Sequence, residues 1–221
     1  MTTIVHREAR CGLCATQSEF LVLASTNRMG SPDLDTRPPE MERSTMRTWV
    51  QRCPNCGYCA SDVAAPRPEA AAVVSTSEYE RQLQDPSYPE LANSFLCRAL
   101  IESACGEYSA EAWAFIHAVW VCDDSDHLEQ AIVCRQRAAE AIARAEEHGQ
   151  LLTEQEGAGT AILVDLLRRS RQFDDARLAL AAHRDKIEDD ILLRVLDFQM
   201  GLIDQNDTSC HTVAEAYGRG N

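Results

Sequence analysis

Four cysteines fall in two C-x-x-C pairs, Cys11-Gly12-Leu13-Cys14 and Cys53-Pro54-Asn55-Cys56. Two thiolates at that spacing can bite one metal ion, and two such pairs supply the four ligands of a closed tetrahedral site. Gly57 follows the second pair and lets the backbone turn so that its amides can point at sulfur; Gly12 sits inside the first pair. The chemistry implied is a structural Zn2+, one per chain, held by Cys11, Cys14, Cys53 and Cys56. The competing reading is a set of free thiols. Cys59, one further x-x step along, cannot be a fifth ligand of a tetrahedral ion. It reads as a packed thiol, against the alternatives that it swaps in for Cys56 or acts as a redox partner beside the site.

A second group of possible ligands comprises His117, Cys122, Asp123, Asp124, Asp126, His127 and Cys134. His117 to Cys122 and Cys122 to His127 are each five residues apart, a poor spacing for sharing an ion on one helix. Core thiols and solvated acids are the competing reading, and Cys97 and Cys105 likewise read as small core residues. Asp33 and Asp35 could hold a divalent cation but stand in a Pro-rich stretch, where acids serve as turn residues. Arg37, Arg43, Arg47 and Arg52 flank the second pair and could grip phosphate. Trp49 and Tyr58 beside them could stack on bases or pack the metal module against helices. No Gly-rich phosphate loop, H-E-x-x-H or G-x-S-x-G motif is present. His6, His148, His183 and His211 lack a local partner that would mark acid–base work.

The elements that must position the cysteines read as follows. Residues 1–10 form a loose lead-in. Phe20-Leu21-Val22-Leu23 suits a strand leaving the first pair, and Arg47 to Arg52 reads as a second strand running into the next. Between them, residues 27–39 are rich in turn formers, and the 38-residue gap exceeds what a minimal zinc ribbon needs, so the insert is expected to pack on something. Such a ribbon has too small a core to fold without its metal. Ser61 to Ala72 reads as an Ala/Pro-rich linker. Helical periodicity then continues to about residue 204: an apolar stripe through Leu91, Phe95, Leu96 and Leu100 ends at Gly106, and the next carries Ala112, Phe115, Ile116 and Val119. Further helices start near Asp126, Thr153, Asp174 and Asp189, with Ser87 and Ser109 as N-caps of the first two and a stop at Gly149. The expected division is 1–67 zinc ribbon with inserted loop, 68–204 helical domain and 205–221 polar, frayed tail.

The chain has 221 residues, 45% of them hydrophobic, enough for a substantial core. Its net charge of −14 is uneven: residues 1–67 carry eight Arg against seven Asp/Glu, the remainder thirteen basic against twenty-eight acidic side chains. An acidic body disfavours broad contact with phosphate backbones. The polar N-terminus offers no signal region, and no apolar run reaches the length of a membrane helix, so a reducing cytoplasm is expected, where paired cysteines favour metal over disulfide.

Phe173, Ala176, Leu180 and His183 follow the spacing of the second helix of a tetratricopeptide repeat, and Gly106-Glu107-Tyr108 with Ala112 and Phe115 is a looser match with one extra residue in the turn. The two cysteine pairs, the segment Arg37-Pro38-Pro39…Thr45-Met46…Trp49-Val50…Cys53-Pro54-x-Cys56-Gly57-Tyr58 and the helical body together resemble the bacterial family called domain of unknown function 2225. That resemblance implies a Cys-rich metal module fused to tetratricopeptide-like helices, and it carries no activity over. The expectation is a mainly α protein, with an α-helical tetratricopeptide-like body and a small N-terminal β zinc ribbon. It is expected to be no enzyme and to bind a protein or peptide partner. Nucleic acid through the Arg-bearing ribbon and a zinc–thiolate redox switch are the alternatives, and no membrane role is expected.

Overall fold

The structure, a computed structural model, describes residues 1–218. It is mainly helical, with nine α-helices and two small antiparallel sheets among those residues. Each cysteine pair lies between two paired strands. β1 (Thr3–Arg10) and β2 (Gln17–Ser25) pair along their length around Cys11–Cys14, and β3 (Gln51–Arg52) pairs with β4 (Cys59–Ala60) around Cys53–Cys56. The expected strand through Phe20–Leu23 is therefore present. Residues 3–10 are its partner rather than a loose lead-in, and their backbone bonds to β2 account for that order. The second expected strand shrinks to two residues, because Met46–Thr48 form a 3-10 turn that places Met46 and Val50 in the core. A short α1 (Glu40–Arg43) precedes it.

The stretch read as a linker is exposed over most of its length but is pinned at Val63 and Ala70. Val63 is fully buried, and its carbonyl accepts the Gly12 N–H at 2.8 Å. Pro66 lies so close to Gly12 that a Cβ there would come within 2.4 Å of the proline ring. Two short helices follow, α2 (Ala70–Val74) and α3 (Ser77–Leu83), the latter capped by the Thr76 hydroxyl accepting from Tyr79 N.

The body comprises α4 (Glu90–Ala104), α5 (Tyr108–Asp124), α6 (Leu128–Glu147), α7 (Ala158–Arg169), α8 (Phe173–His183) and α9 (Asp190–Asp204), each packed on the next. One turn geometry recurs between them. Gly106, Asp126 and Arg171 are left-handed (φ 72°, 58° and 64°), and the next residue in each case donates its N–H to the carbonyl five residues back at 2.9 Å. This is the six-to-one bond of a Schellman helix end. The extra residue expected in the first turn is not there. That turn has the same length as the others, and the position of the buried Ala131 and Ala176 is taken by Glu111, whose carboxylate receives Arg144 at 2.6 Å. α9 starts at Asp190, near the residue read as its start, and Asp189 caps it. Ser87 does not cap α4: its N–H and hydroxyl both turn to Asp85. Ser109 lies inside the first turn of α5 and donates to the Leu151 carbonyl, and α7 starts at Ala158 rather than near Thr153.

Cys11, Phe20, Tyr58 and Val63 from the hairpin region share one buried cluster with α3 to α6, and α7 to α9 form a second. The insert packs on both. Leu34 enters the second cluster, and Asp35 and Arg37 are buried against α5 and α7. The tail is not frayed over its described part. Asp33 bridges Thr212, Leu34 N donates to His211 O, Val213 N donates to Pro32 O, and Arg168 of α7 holds the carbonyls of Asp207 and Ser209.

Candidate metal centre

Both cysteine pairs adopt the same turn. The N–H four residues after the first cysteine returns to that cysteine's carbonyl, Ala15 to Cys11 at 2.8 Å and Gly57 to Cys53 at 2.9 Å. The residue there must be left-handed: Gly57 has φ 73° and Ala15 has φ 61°. Ala15, not Gly12, is thus the counterpart of Gly57, and it carries the strain of a Cβ in that region. Gly12 is needed for a different reason, the close approach of Pro66.

The two turns face each other. Cys11 Sγ lies 3.7 Å from Cys56 Sγ, Cys14 Sγ lies 3.5 Å from Cys53 Sγ, and all four sulfurs are within 4.8 Å of one another. A tetrahedron with metal–sulfur bonds of ~2.3 Å has edges of ~3.8 Å, so the donor set fits a single tetrahedral ion. None of the ten cysteines is in a disulfide. Cys11 and Cys53 are buried, while Cys14 and Cys56 are partly open to solvent. Hydrogen bonds from the Thr16 side chain and backbone, then Asn55, draw the Cys14 thiol down to about 5. Burial pushes the thiols of Cys53 and Cys56 up.

Two side chains outside the sulfur set hold the second turn. Tyr79 of α3 donates its hydroxyl to the Gly57 carbonyl and accepts the Cys59 N–H, both at 3.0 Å. Leu83 packs on Gly57 so closely that a Cβ there would sit 2.5 Å from its Cδ2. Neither residue stands out in the sequence, although Thr76 followed by Glu78 and Glu80 in the first turn is a helix-start signal that would have placed α3.

Cys59 stands outside the four-sulfur set. It is buried, its Sγ donates to the Gly57 carbonyl at 3.3 Å, and a hydrogen bond with Cys97 draws its thiol down. The second candidate set does not converge among the described residues. The His117 ring packs among aromatic rings, Cys122 is buried against Cys134, and His127 is exposed with Nδ1 on the Ser125 carbonyl. Asp123 is not a solvated acid. It is bound by Arg135 at 2.6 Å and Arg169 at 2.8 Å; burial pushes its carboxyl up, but Arg135, Arg169 and Arg37 outweigh it and hold it below its usual value. Asp35 is a turn acid as read, its Oδ1 accepting the Arg37 N–H at 3.1 Å, but it is fully buried: Oδ2 accepts Trp120 Nε1–H at 3.0 Å and lies 3.4 Å from Arg169. Of the arginines that could grip phosphate, three hold carboxylates and the fourth, Arg47, is exposed. Arg37 is buried on Asp33 and Asp124, Arg43 pairs with Glu40, and Arg52 pairs with Glu90.

The site is therefore a cluster of four cysteines at the spacing of a tetrahedral metal centre, set in a mainly α protein. No protein family, curated protein or solved structure matches the chain. No helix is long and apolar enough to cross a membrane among the described residues.

Proposed function

We propose that the protein is a non-enzymatic scaffold in which one Zn2+ on Cys11, Cys14, Cys53 and Cys56 fastens a zinc-ribbon-like pair of hairpins to a tetratricopeptide-like helical stack that engages a protein partner. The observation that carries this reading is the closed donor set: four thiolates at tetrahedral spacing leave no position for a substrate or a reactive water. The C-P-x-C-G-Y motif and the two-part build support kinship with domain of unknown function 2225. One feature narrows the partner reading. Residues 31–37 and 207–217 lie over α5, α7 and α9, so that face of the stack is filled by the chain itself rather than left as an open peptide groove. A redox switch joining Cys59 to Cys56 has little support, because Cys59 packs toward Cys97. The nucleic-acid reading has less, because Arg37, Arg43 and Arg52 already hold carboxylates and only Arg47 of the four is left exposed for phosphate.

Elemental analysis of protein purified without added metal tests the centre. One zinc per chain is expected, with the folded state lost on chelation and regained on zinc return. A coloured iron form would replace zinc but keep the architecture. A metal-free chain with an undiminished unfolding transition would overturn the reading.

A further inference from the structure

All three tryptophans of the chain meet at one place outside the four-sulfur set. Trp113, His117 and Trp120 lie on one face of α5 at steps of four and three, and Trp49 reaches them from the turn before β3. The rings stand steeply to one another. Trp49 and Trp120 are 6.2 Å apart between centroids at 78°, and Trp113 and Trp120 are 6.4 Å apart at 68°. They wall an open cavity of about 420 Å³ together with Pro38, Pro39 and Arg28 of the insert.

The polar handles of these rings are already used. Trp49 Nε1–H donates to Thr45 Oγ1 at 3.0 Å, Trp113 Nε1–H to the Leu152 carbonyl at 2.9 Å and Trp120 Nε1–H to Asp35 Oδ2 at 3.0 Å. What the walls have left to offer a ligand is aromatic surface. A cation seated within ~6 Å of a ring centroid is attracted by the aromatic face, a distance the cavity these rings line can accommodate. Arg28 is the one cation among the described lining residues. The Arg28 guanidinium is paired with Glu42, burial holds the His117 imidazole down to about 3 and hence neutral, and the chain as a whole carries −14. Each indole N–H is also spent in a way that favours a cation at the ring, Trp120 most directly through its carboxylate partner.

We propose that this box of Trp49, Trp113, Trp120 and His117 binds a quaternary ammonium group, either on a free small molecule such as choline or on a trimethylated lysine of a partner. The inference goes beyond the scaffold reading and does not depend on the metal.

The test is calorimetric titration of the full, metal-loaded chain with choline, with a trimethyllysine peptide, with its unmethylated twin and with 3,3-dimethyl-1-butanol, the uncharged isostere of choline. Saturable binding of choline or the trimethylated peptide is expected, at least about tenfold tighter than the isostere or the unmethylated peptide. Binding of choline alone identifies a free ligand, and preference for the peptide identifies a modified partner. Equal binding of the isostere would mean an apolar slot and overturn the proposal, as would no saturable signal from either trimethylammonium probe. Trp113→Phe, which keeps an aromatic wall, should weaken choline several-fold, and Trp113→Leu about tenfold or more. The unfolding transition and zinc content of each variant, measured on the same samples, separate a lost site from a lost fold and from failure of the scaffold reading.

Discussion

At the scale of single residues, the metal centre depends on groups that never touch the ion. The Tyr79 hydroxyl serves two backbone partners of the second turn at once, and the ring is 1% exposed. Removing that oxygen takes the Tyr79 partner from the buried Cys59 N–H and leaves the Gly57 carbonyl only the Cys59 thiol, at a cost of about 1–3 kcal/mol. Tyr79→Phe is therefore expected to lower the unfolding midpoint of the zinc-loaded protein and to speed zinc transfer to a chelator, read by a zinc indicator. An unchanged transfer rate would show that the turn holds itself. The four ligands were legible because thiolate chemistry fixes their spacing locally. Tyr79, Leu83 and Pro66 were not, because each acts through a contact between segments that no local spacing encodes.

At the scale of elements, the helical body is organised by repeated ends rather than by repeated sequence. Gly106, Asp126 and Arg171 occupy one backbone state, yet only the first is a residue that reaches it without strain. Gly106→Ala is expected to cost about 1 kcal/mol, all of it conformational, because no atom lies within 4 Å of the added methyl. Asp126→Gly should recover up to a similar amount. Urea unfolding of the two variants against the parent measures both, and equal midpoints would mean that the turn is set by tertiary packing. Helix stripes and the stops at Gly106 and Gly149 were readable from the sequence, since apolar periodicity and glycine act locally. The caps at Ser87 and Ser109 were misplaced because nearer or longer-range partners, Asp85 and the Leu151 carbonyl, win those hydroxyls. The strand at residues 3–10 escaped notice because its polar side chains carry no alternation, and its order comes from pairing with β2.

At the scale of the whole molecule, the insert between the cysteine pairs is what joins hairpins, helices and tail. A mainly α fold with a small β part was legible, while the buried charges that tie it together were not: Asp35, Arg37 and Asp123 look like surface residues until distant segments meet. The same packing buries His117 beside Arg98, and burial, then that arginine, lowers its imidazole from the usual 6.5 to about 3. Between those values the unfolded chain binds a proton that the folded chain does not. Stability is thus full above about pH 6.5 and falls as pH drops toward 3, by at most about 1.4 kcal/mol per pH unit from this group. His117→Phe is expected to flatten that part of the profile, followed by thermal unfolding from pH 7 to 4; a parallel profile would assign the acid sensitivity elsewhere. The clasp between the insert and the tail carries a further implication for how the chain comes into being. Ser31 receives the Ala214 N–H across 183 positions of sequence. At ribosomal speeds of roughly 5–20 residues per second, the early strand of that clasp emerges on the order of ten seconds or more before its counterpart exists. Asp35 must stay hydrated until Trp120 and Arg169 have been made, and Arg37 has only Asp33 until Asp124 follows, so the hairpins can close first and the tail is the last piece to lock.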